Sequence, residues 1–254
     1  MSKLKRVFLA KDAERFAQFM AKVATGERKI SGAALTPATI VHDVRHGSAD
    51  AVSEAQWKAL VQSIKDEGKL TATAAIVDVS GSMQSPTFSD QTCPMDTALA
   101  LGIIIAKVAE PPFQNVFVSF HSTPQFVDLP ADGTLAECVN VAMRSPWGMS
   151  TDFVKAMRLI LSRAIASRVP KDKMVERLIV LSDMEFDQAQ ASYETRYFNY
   201  YGGVGGEDGG RPSTLATHHE ILEKEYRAAG YELPTLIYWN IAGASLFSLF
   251  CGPS

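Results

Sequence analysis

The stretch Ala74-Ala75-Ile76-Val77-Asp78-Val79-Ser80-Gly81-Ser82-Met83 decides the fold. Residues 74–79 have the length and branching of a strand buried in a parallel sheet, interrupted by a single acid. Gly81 breaks the run and leaves Ser80 and Ser82 in a loop just past the strand's carboxyl end. Open α/β sheets bind their ligands at that edge. One carboxylate and two hydroxyls at alternate positions make an all-oxygen, hard donor set suited to Mg2+ or Mn2+.

The rest of the composition bounds what such a domain serves. At 254 residues and 46% hydrophobic, the chain suits one large domain or a domain with an extension. Its formal net charge of −3 gives no electrostatic case for a dedicated nucleic-acid binder, so RNA is a partner unsupported by charge. Cys93, Cys138 and Cys251 are scattered and lack metal-site spacing, as expected of reduced thiols inside a cell. The basic residues 1–6 lead into a charged, amphipathic stretch rather than a signal-peptide core. The apolar run 98–109 is too short to span a bilayer, so no membrane partner is expected. A cytoplasmic location is the expectation, with the nucleus open.

Outward from the opening strand, periodicity assigns the elements. Residues 11–24 carry Phe16, Phe19, Met20 and Val23 at helical spacing, and 25–36 read as a linker. Helices follow at 37–45, with Pro37 in its first turn, and at 53–67, with Ser53 as N-cap and Gln56 completing a capping box. Residues 94–110 form a helix apolar on most sides, hence buried, which Pro111-Pro112 stops. Strands at 116–120 and 125–129, joined by His121-Ser122-Thr123-Pro124, read as a hairpin. Helices are expected at 134–143 and 152–167, and a second apolar strand, 177–183, also ends in an acid. The Gly-rich residues 201–212 read as a mobile loop, 213–229 as a helix closed by Gly230, and 235–239 as a strand. This alternation implies an α/β fold, a doubly wound and mostly parallel sheet with one antiparallel edge strand and helices on both faces. The domains are read as a helical extension, 1–70, and a sheet domain, 71–254.

Three loops carry oxygen donors. Asp78, Ser80 and Ser82 lie in the first; Trp147-Gly148-Met149-Ser150-Thr151-Asp152-Phe153 is the second; Asp183 opens the third, before Met184-Glu185-Phe186-Asp187. This order, Asp-x-Ser-x-Ser, a distant threonine and an acid after a later strand, resembles the metal-ion-dependent adhesion site of von Willebrand factor A domains. The resemblance covers residues 74–239 and implies a Rossmann-like von Willebrand A fold. It further implies Asp78, Ser80, Ser82, Thr151 and Asp183 as ligands of Mg2+ or Mn2+. An open coordination position would take an Asp or Glu of a protein partner. Trp147, Asp152, Glu185 and Asp187 would form the rim. Neutral hydroxyl ligands suit that role, because they leave the cation electrophilic toward an outside carboxylate.

The text around these loops, with Tyr238-Trp239-Asn240, is similar to an uncharacterised eukaryotic and large-virus family described only as a domain of unknown function. More distantly it resembles the A domain of the Ro ribonucleoprotein. The resemblance to that family begins near Ala33. Most of the family's helical half is missing, and residues 244–254 depart from its usual last strand and helix. The last strand is therefore either altered, with 246–251 filling in, or missing, and an unpaired edge would threaten solubility.

An enzyme is the competing class. A dehalogenase-type phosphatase needs a second Asp where Ser80 stands. Val79-Ser80-Gly81-Ser82-Met83 is not a Gly-x-Ser-x-Gly elbow. No phosphate-binding Gly-x-x-x-x-Gly-Lys loop occurs. His42 and His121 have no paired nucleophile and are read as structural or exposed, and His218-His219 as a solvated helix face. The expectation is a non-enzymatic, divalent-cation-dependent protein-interaction module. The alternatives are a ribonucleoprotein component resembling the Ro particle, or a truncated family member with a vestigial site.

Overall fold

The computed structural model describes residues 13–24, 35–146, 148, 152–183, 214–242 and 246–248. In chain order the elements are α1 (Ala13–Ala24), α2 (Pro37–Arg45), α3 (Ala51–Glu67), β1 (Thr73–Val77), α4 (Pro94–Val108), β2 (Val116–Ser119), β3 (Phe126–Asp128), α5 (Leu135–Met143), α6 (Phe153–Ala166), β4 (Arg177–Ser182), α7 (Thr214–Ala228), β5 (Thr235–Asn240) and β6 (Leu246–Ser248). Short 3-10 turns cover Gly81–Gln84 and Lys171–Lys173. The Gly-rich stretch 201–212 lies outside the described residues. No described helix is long and apolar enough to cross a membrane.

The strands form one sheet in the order β3-β2-β1-β4-β5-β6. β1 runs parallel to β2 and β4, and β4 parallel to β5. β3 returns antiparallel along β2, as the hairpin at 121–124 requires. The expected single antiparallel edge has a counterpart on the other side, because β6 pairs antiparallel with β5. Only residues 241–245 separate β5 from β6, far short of the roughly dozen residues a parallel crossover needs. The chain can only turn back.

β1 is central, and its side chains alternate between two cores. Ala75 and Val77 face a core that includes Ile40 and Val41 of α2, Trp57 of α3, Leu99 and Ile103 of α4, and Val139 of α5. Ala74 and Ile76 face the opposite core, built with Met157 and Ile160 of α6 and Leu222 and Tyr226 of α7. A strand covered on both faces has no solvent side, which is why residues 74–77 carry no polar alternation. α4 is apolar on most sides for the same reason. Its Gly102 lies on Val77, where an added Cβ would overlap the valine side chain.

The N-terminal helices are anchored by charge as well as by packing. Asp96, in the first turn of α4, has no exposed side-chain surface, yet Arg45 Nη1 of α2 lies 2.6 Å from its Oδ1. His42 Nδ1 lies 3.2 Å from Oδ2, and Cys93 N–H donates to the same oxygen at 2.9 Å. Burial would push the Asp96 carboxyl up, but the Cys93 N–H and the Arg45 guanidinium outweigh it and hold the group below its ordinary range. A second anchor joins α3 to α5, where Glu54 Oε2 accepts from Leu135 N–H at 3.0 Å. The start of α3 corrects the sequence expectation. Asp50, not Ser53, is the N-cap, its Oδ1 accepting from Val52 and Ser53 N–H at 2.8 and 3.0 Å. One carboxylate takes two of the helix's orphan N–H groups, while Ser53 and Gln56 are buried within the helix.

Two stability tests follow from this packing. Gly102→Ala is expected to lower stability despite its better helix propensity, because overpacking a fitted core costs ~1–3 kcal/mol. Adding Val77→Ala should recover part of the loss in urea unfolding. Arg45→Ala strands a buried carboxylate and is expected to cost about 3–5 kcal/mol in the same assay.

Candidate metal centre

The strand order places β1 and β4 side by side, and the chain leaves them toward opposite edges of the sheet. The crevice beyond their carboxyl ends is therefore a topological switch point. Asp78 sits there, one residue past β1. Its N–H donates to Leu181 O at 3.0 Å, so the β1–β4 ladder continues through it. The register pairs Ile76 with Val180 and Val77 with Leu181, which sets Asp78 beside Ser182.

Asp78 is only 2% exposed, and both of its oxygens are engaged. Oδ1 accepts from Ser80 N–H at 2.8 Å, and Oδ2 accepts from the Ser182 hydroxyl at 2.8 Å. Each oxygen keeps lone-pair capacity beyond the bond it already accepts. The hydroxyls of Ser80 and Ser82 lie 3.0 Å apart in the turn that follows. Asp183 begins the loop after β4, and its Oδ2 is buried. Burial pushes the Asp78 carboxyl above its ordinary range; the Ser80 and Ser182 bonds pull it back, and the Asp183 charge adds to the rise. Two carboxylates near each other at a dry strand edge are a site that favours a positive charge.

Of the expected ligands, the structure brings together Asp78, Ser80 and Ser82, with Asp183 close enough to act on Asp78 electrostatically. Thr151 lies outside the described residues, as do Trp147, Glu185 and Asp187 of the expected rim. Asp152 is the N-cap of α6: its Oδ1 accepts from Lys155 N–H at 3.0 Å and its Oδ2 lies 3.2 Å from Lys155 Nζ. Ser182 is the residue that reading the sequence missed. Its signal was strand alternation, since Ser182 shares a face with Val180 as Asp78 does with Ile76. That alternation has meaning only once β1 and β4 are known to be neighbours. Among the described residues no three His, Cys, Asp or Glu side chains gather as a metal cluster. The donors here are two carboxylates and two hydroxyls. Cys93 and Cys138 are free thiols.

The model of a family described as Domain of unknown function (DUF7788) matches residues 72–248, more than half of the chain. The chain belongs to the DUF7788 family. A second family model, Domain of unknown function (DUF2828), matches residues 1–70. Uncharacterized protein L728 of Acanthamoeba polyphaga mimivirus is 27% identical over 235 residues, covering 92% of this chain and 36% of that protein. The crystal structure of the Deinococcus radiodurans RO (RSR) protein superposes with a TM-score of 0.50 at 16% identity, over 94% of this chain and 43% of that one. At that identity the likeness shows the fold alone. The DUF7788 chain thus spans well under half the length of either protein.

The raised Asp78 carboxyl has a measurable consequence. A group whose folded pKa lies above its unfolded value contributes stability below the unfolded pKa and loses it as pH rises through the folded one. In chelator-treated neutral buffer, Asp78→Asn is therefore expected to raise the melting temperature of the DUF7788 chain. The gain should shrink as pH falls into the carboxylate range.

Proposed function

We propose that this chain is a non-enzymatic interaction module of the von Willebrand A type, which docks an acidic side chain of a protein partner on a divalent cation. The observation that carries this reading is the Ser80 Oγ to Ser82 Oγ separation of 3.0 Å beside the buried Asp78. Adjacent ligands of an octahedral Mg2+, with bonds of 2.0–2.1 Å, lie about 3.0 Å apart. The two hydroxyls are spaced as neighbouring vertices of that octahedron.

Ser80, Ser82 and Thr151 would hold the cation with neutral oxygens, and Asp78 and Asp183 would supply the negative charge. Mn2+ fits the same donors. When bound, the cation supplies an electrophile for an outside carboxylate. The protein's own part is to keep the hydroxyls in place. Ser80 N–H fixes Asp78, Ser182 fixes it from the neighbouring strand, and the Gly81–Gln84 turn returns Ser82 to face Ser80. Two carboxylates balance the ion's charge without a surplus that would dull its attraction for a third.

The absence of catalysis is part of this proposal. Ser80 Oγ lies 3.0 Å from Ser82 Oγ, and among the described residues no histidine or lysine hydrogen-bonds either hydroxyl. A protein partner is favoured over RNA because the formal net charge is −3 and basic residues on and after α6 are ion-paired. Arg158 pairs with Glu225, Lys171 with Glu232 and Lys173 with Glu110. Arg163 lies over the Phe126 ring and donates to Pro112 O.

Calorimetric titration of Mg2+ and Mn2+ into the purified chain tests the site. The parent is expected to bind one ion. Asp78→Ala and the double variant Ser80→Ala/Ser82→Ala should lose it while remaining folded by circular dichroism. A folded parent that binds neither ion would overturn the reading.

A further inference from the structure

Helix α2 closes on two histidines that the candidate metal centre does not use. His42 and His46 are four residues apart, which puts both on one face of the helix. Their rings lie against each other, with centroids 4.1 Å apart and planes inclined by 32°. Each ring is held through its Nδ1. His42 Nδ1 lies 3.2 Å from Asp96 Oδ2, and His46 Nδ1 lies 2.8 Å from His42 O. The backbone fixes the second ring's place, because His46 N–H also donates to His42 O, at 3.1 Å. Gly47 then turns the chain away at a φ of +69°, and the space beside it is open.

Those acceptors set both tautomers. An ionised carboxylate and a carbonyl only accept, so each Nδ1 carries a proton and each neutral ring keeps a bare lone pair on Nε2. Among the described residues neither Nε2 has a hydrogen-bond partner; His46 is exposed and His42 partly so. A ring whose other N–H is given to a carboxylate or a backbone carbonyl is oriented as metal-ligating histidines are. Imidazole suits Zn2+, whereas the oxygen donors around Asp78 suit Mg2+. Two nitrogens on a tetrahedral Zn2+, with bonds of 2.0–2.1 Å, stand about 3.3 Å apart. Rings already in contact reach that spacing by turning about their own side-chain bonds, with no movement of the helix. The negative pole at the C-terminal end of α2 adds its attraction for a cation. Arg45 takes Asp96 Oδ1, which leaves Oδ2 to His42 and Cys93.

We propose that His42 and His46 form a two-histidine Zn2+ site at the end of α2, with Nε2 of each ring as a ligand and water in the remaining positions. The site shares no residue with the Asp78, Ser80 and Ser82 set and does not depend on that reading. Asp96 is the positioning residue, since it orients His42 through Nδ1–H. The same bond ties the pair to the start of α4. A cation held there binds the folded α2–α4 junction in preference to the unfolded chain and so stabilises it.

The test titrates Zn2+ into the untagged full chain by calorimetry, with Mg2+ in excess to occupy oxygen-donor sites. The parent is expected to bind Zn2+ and to melt at a higher temperature as Zn2+ is added. His46→Ala removes an exposed ring and should melt as the parent does without Zn2+. It is expected to weaken Zn2+ binding about tenfold or more, because losing even the orienting partner of a ligand costs about 10–100-fold. The double variant His218→Ala/His219→Ala should keep the parental affinity. Imidazole 15N spectra should place the proton of both His42 and His46 on Nδ1, and Zn2+ should shift their Nε2 resonances. A folded His46→Ala with parental Zn2+ affinity would overturn the proposal. A parent that binds no Zn2+, or Nε2 resonances of His42 and His46 that Zn2+ leaves in place, would overturn it as well.

Discussion

A nearly water-free carboxylate at the end of a central strand is the constraint on which the rest of the site depends. Asp78 cannot be buried without donors, and the nearest are its own loop and the adjacent strand. Ser80 N–H and the Ser182 hydroxyl supply them. The second donor exists only because β4 lies beside β1 in one register, with Val180 opposite Ile76. A slip of a single residue would turn Ser182 toward the other face and leave Asp78 Oδ2 against apolar side chains. The sheet's register and the chemistry of its edge are therefore one specification, enforced by the cost of an unpaired buried charge.

The same reasoning explains why the N-terminal helices belong to the fold rather than preceding it. The two family matches meet at residues 70 and 72, yet the hydrophobic core runs across that boundary. Ile40 and Val41 of α2 and Trp57 of α3 share one core with Ala75 and Val77 of β1, and they join it by packing on α4, which lies against β1. Arg45 then neutralises the buried Asp96 at the start of α4, the helix that follows the Asp78–Ser82 loop. Helix α4 carries its own capping carboxylate, and α2 supplies the cation that lets this carboxylate stay ionised.

Much of the element order was legible in the residues. Hydrophobic period and breakers assigned α2 (37–45) without error, placed the hairpin at 121–124, and marked α4 as buried through its lack of a polar face. The start of α3 was misread because Ser53-x-x-Gln56 matches a capping box locally. Asp50, three residues earlier, offers a stronger acceptor to two N–H groups. The far edge of the sheet was left open between an altered and a missing strand. The sequence ties Leu246–Ser248 to no partner, and only the short 241–245 link and the free edge of β5 make it an antiparallel strand.

At the site, the division is sharper. The sequence by itself determined that one carboxylate and two hydroxyls follow a buried strand, since strand period and a glycine break are local properties of ten consecutive residues. It also determined that a second apolar strand ends in an acid. Only the tertiary structure decided that these two strand ends are neighbours and that the Ser182 hydroxyl braces Asp78. Those relations span residues about a hundred positions apart in the case of Ser182 and Asp78. They arise from strand order, which is set by packing both faces of β1 at once and leaves no trace in any single stretch of chain.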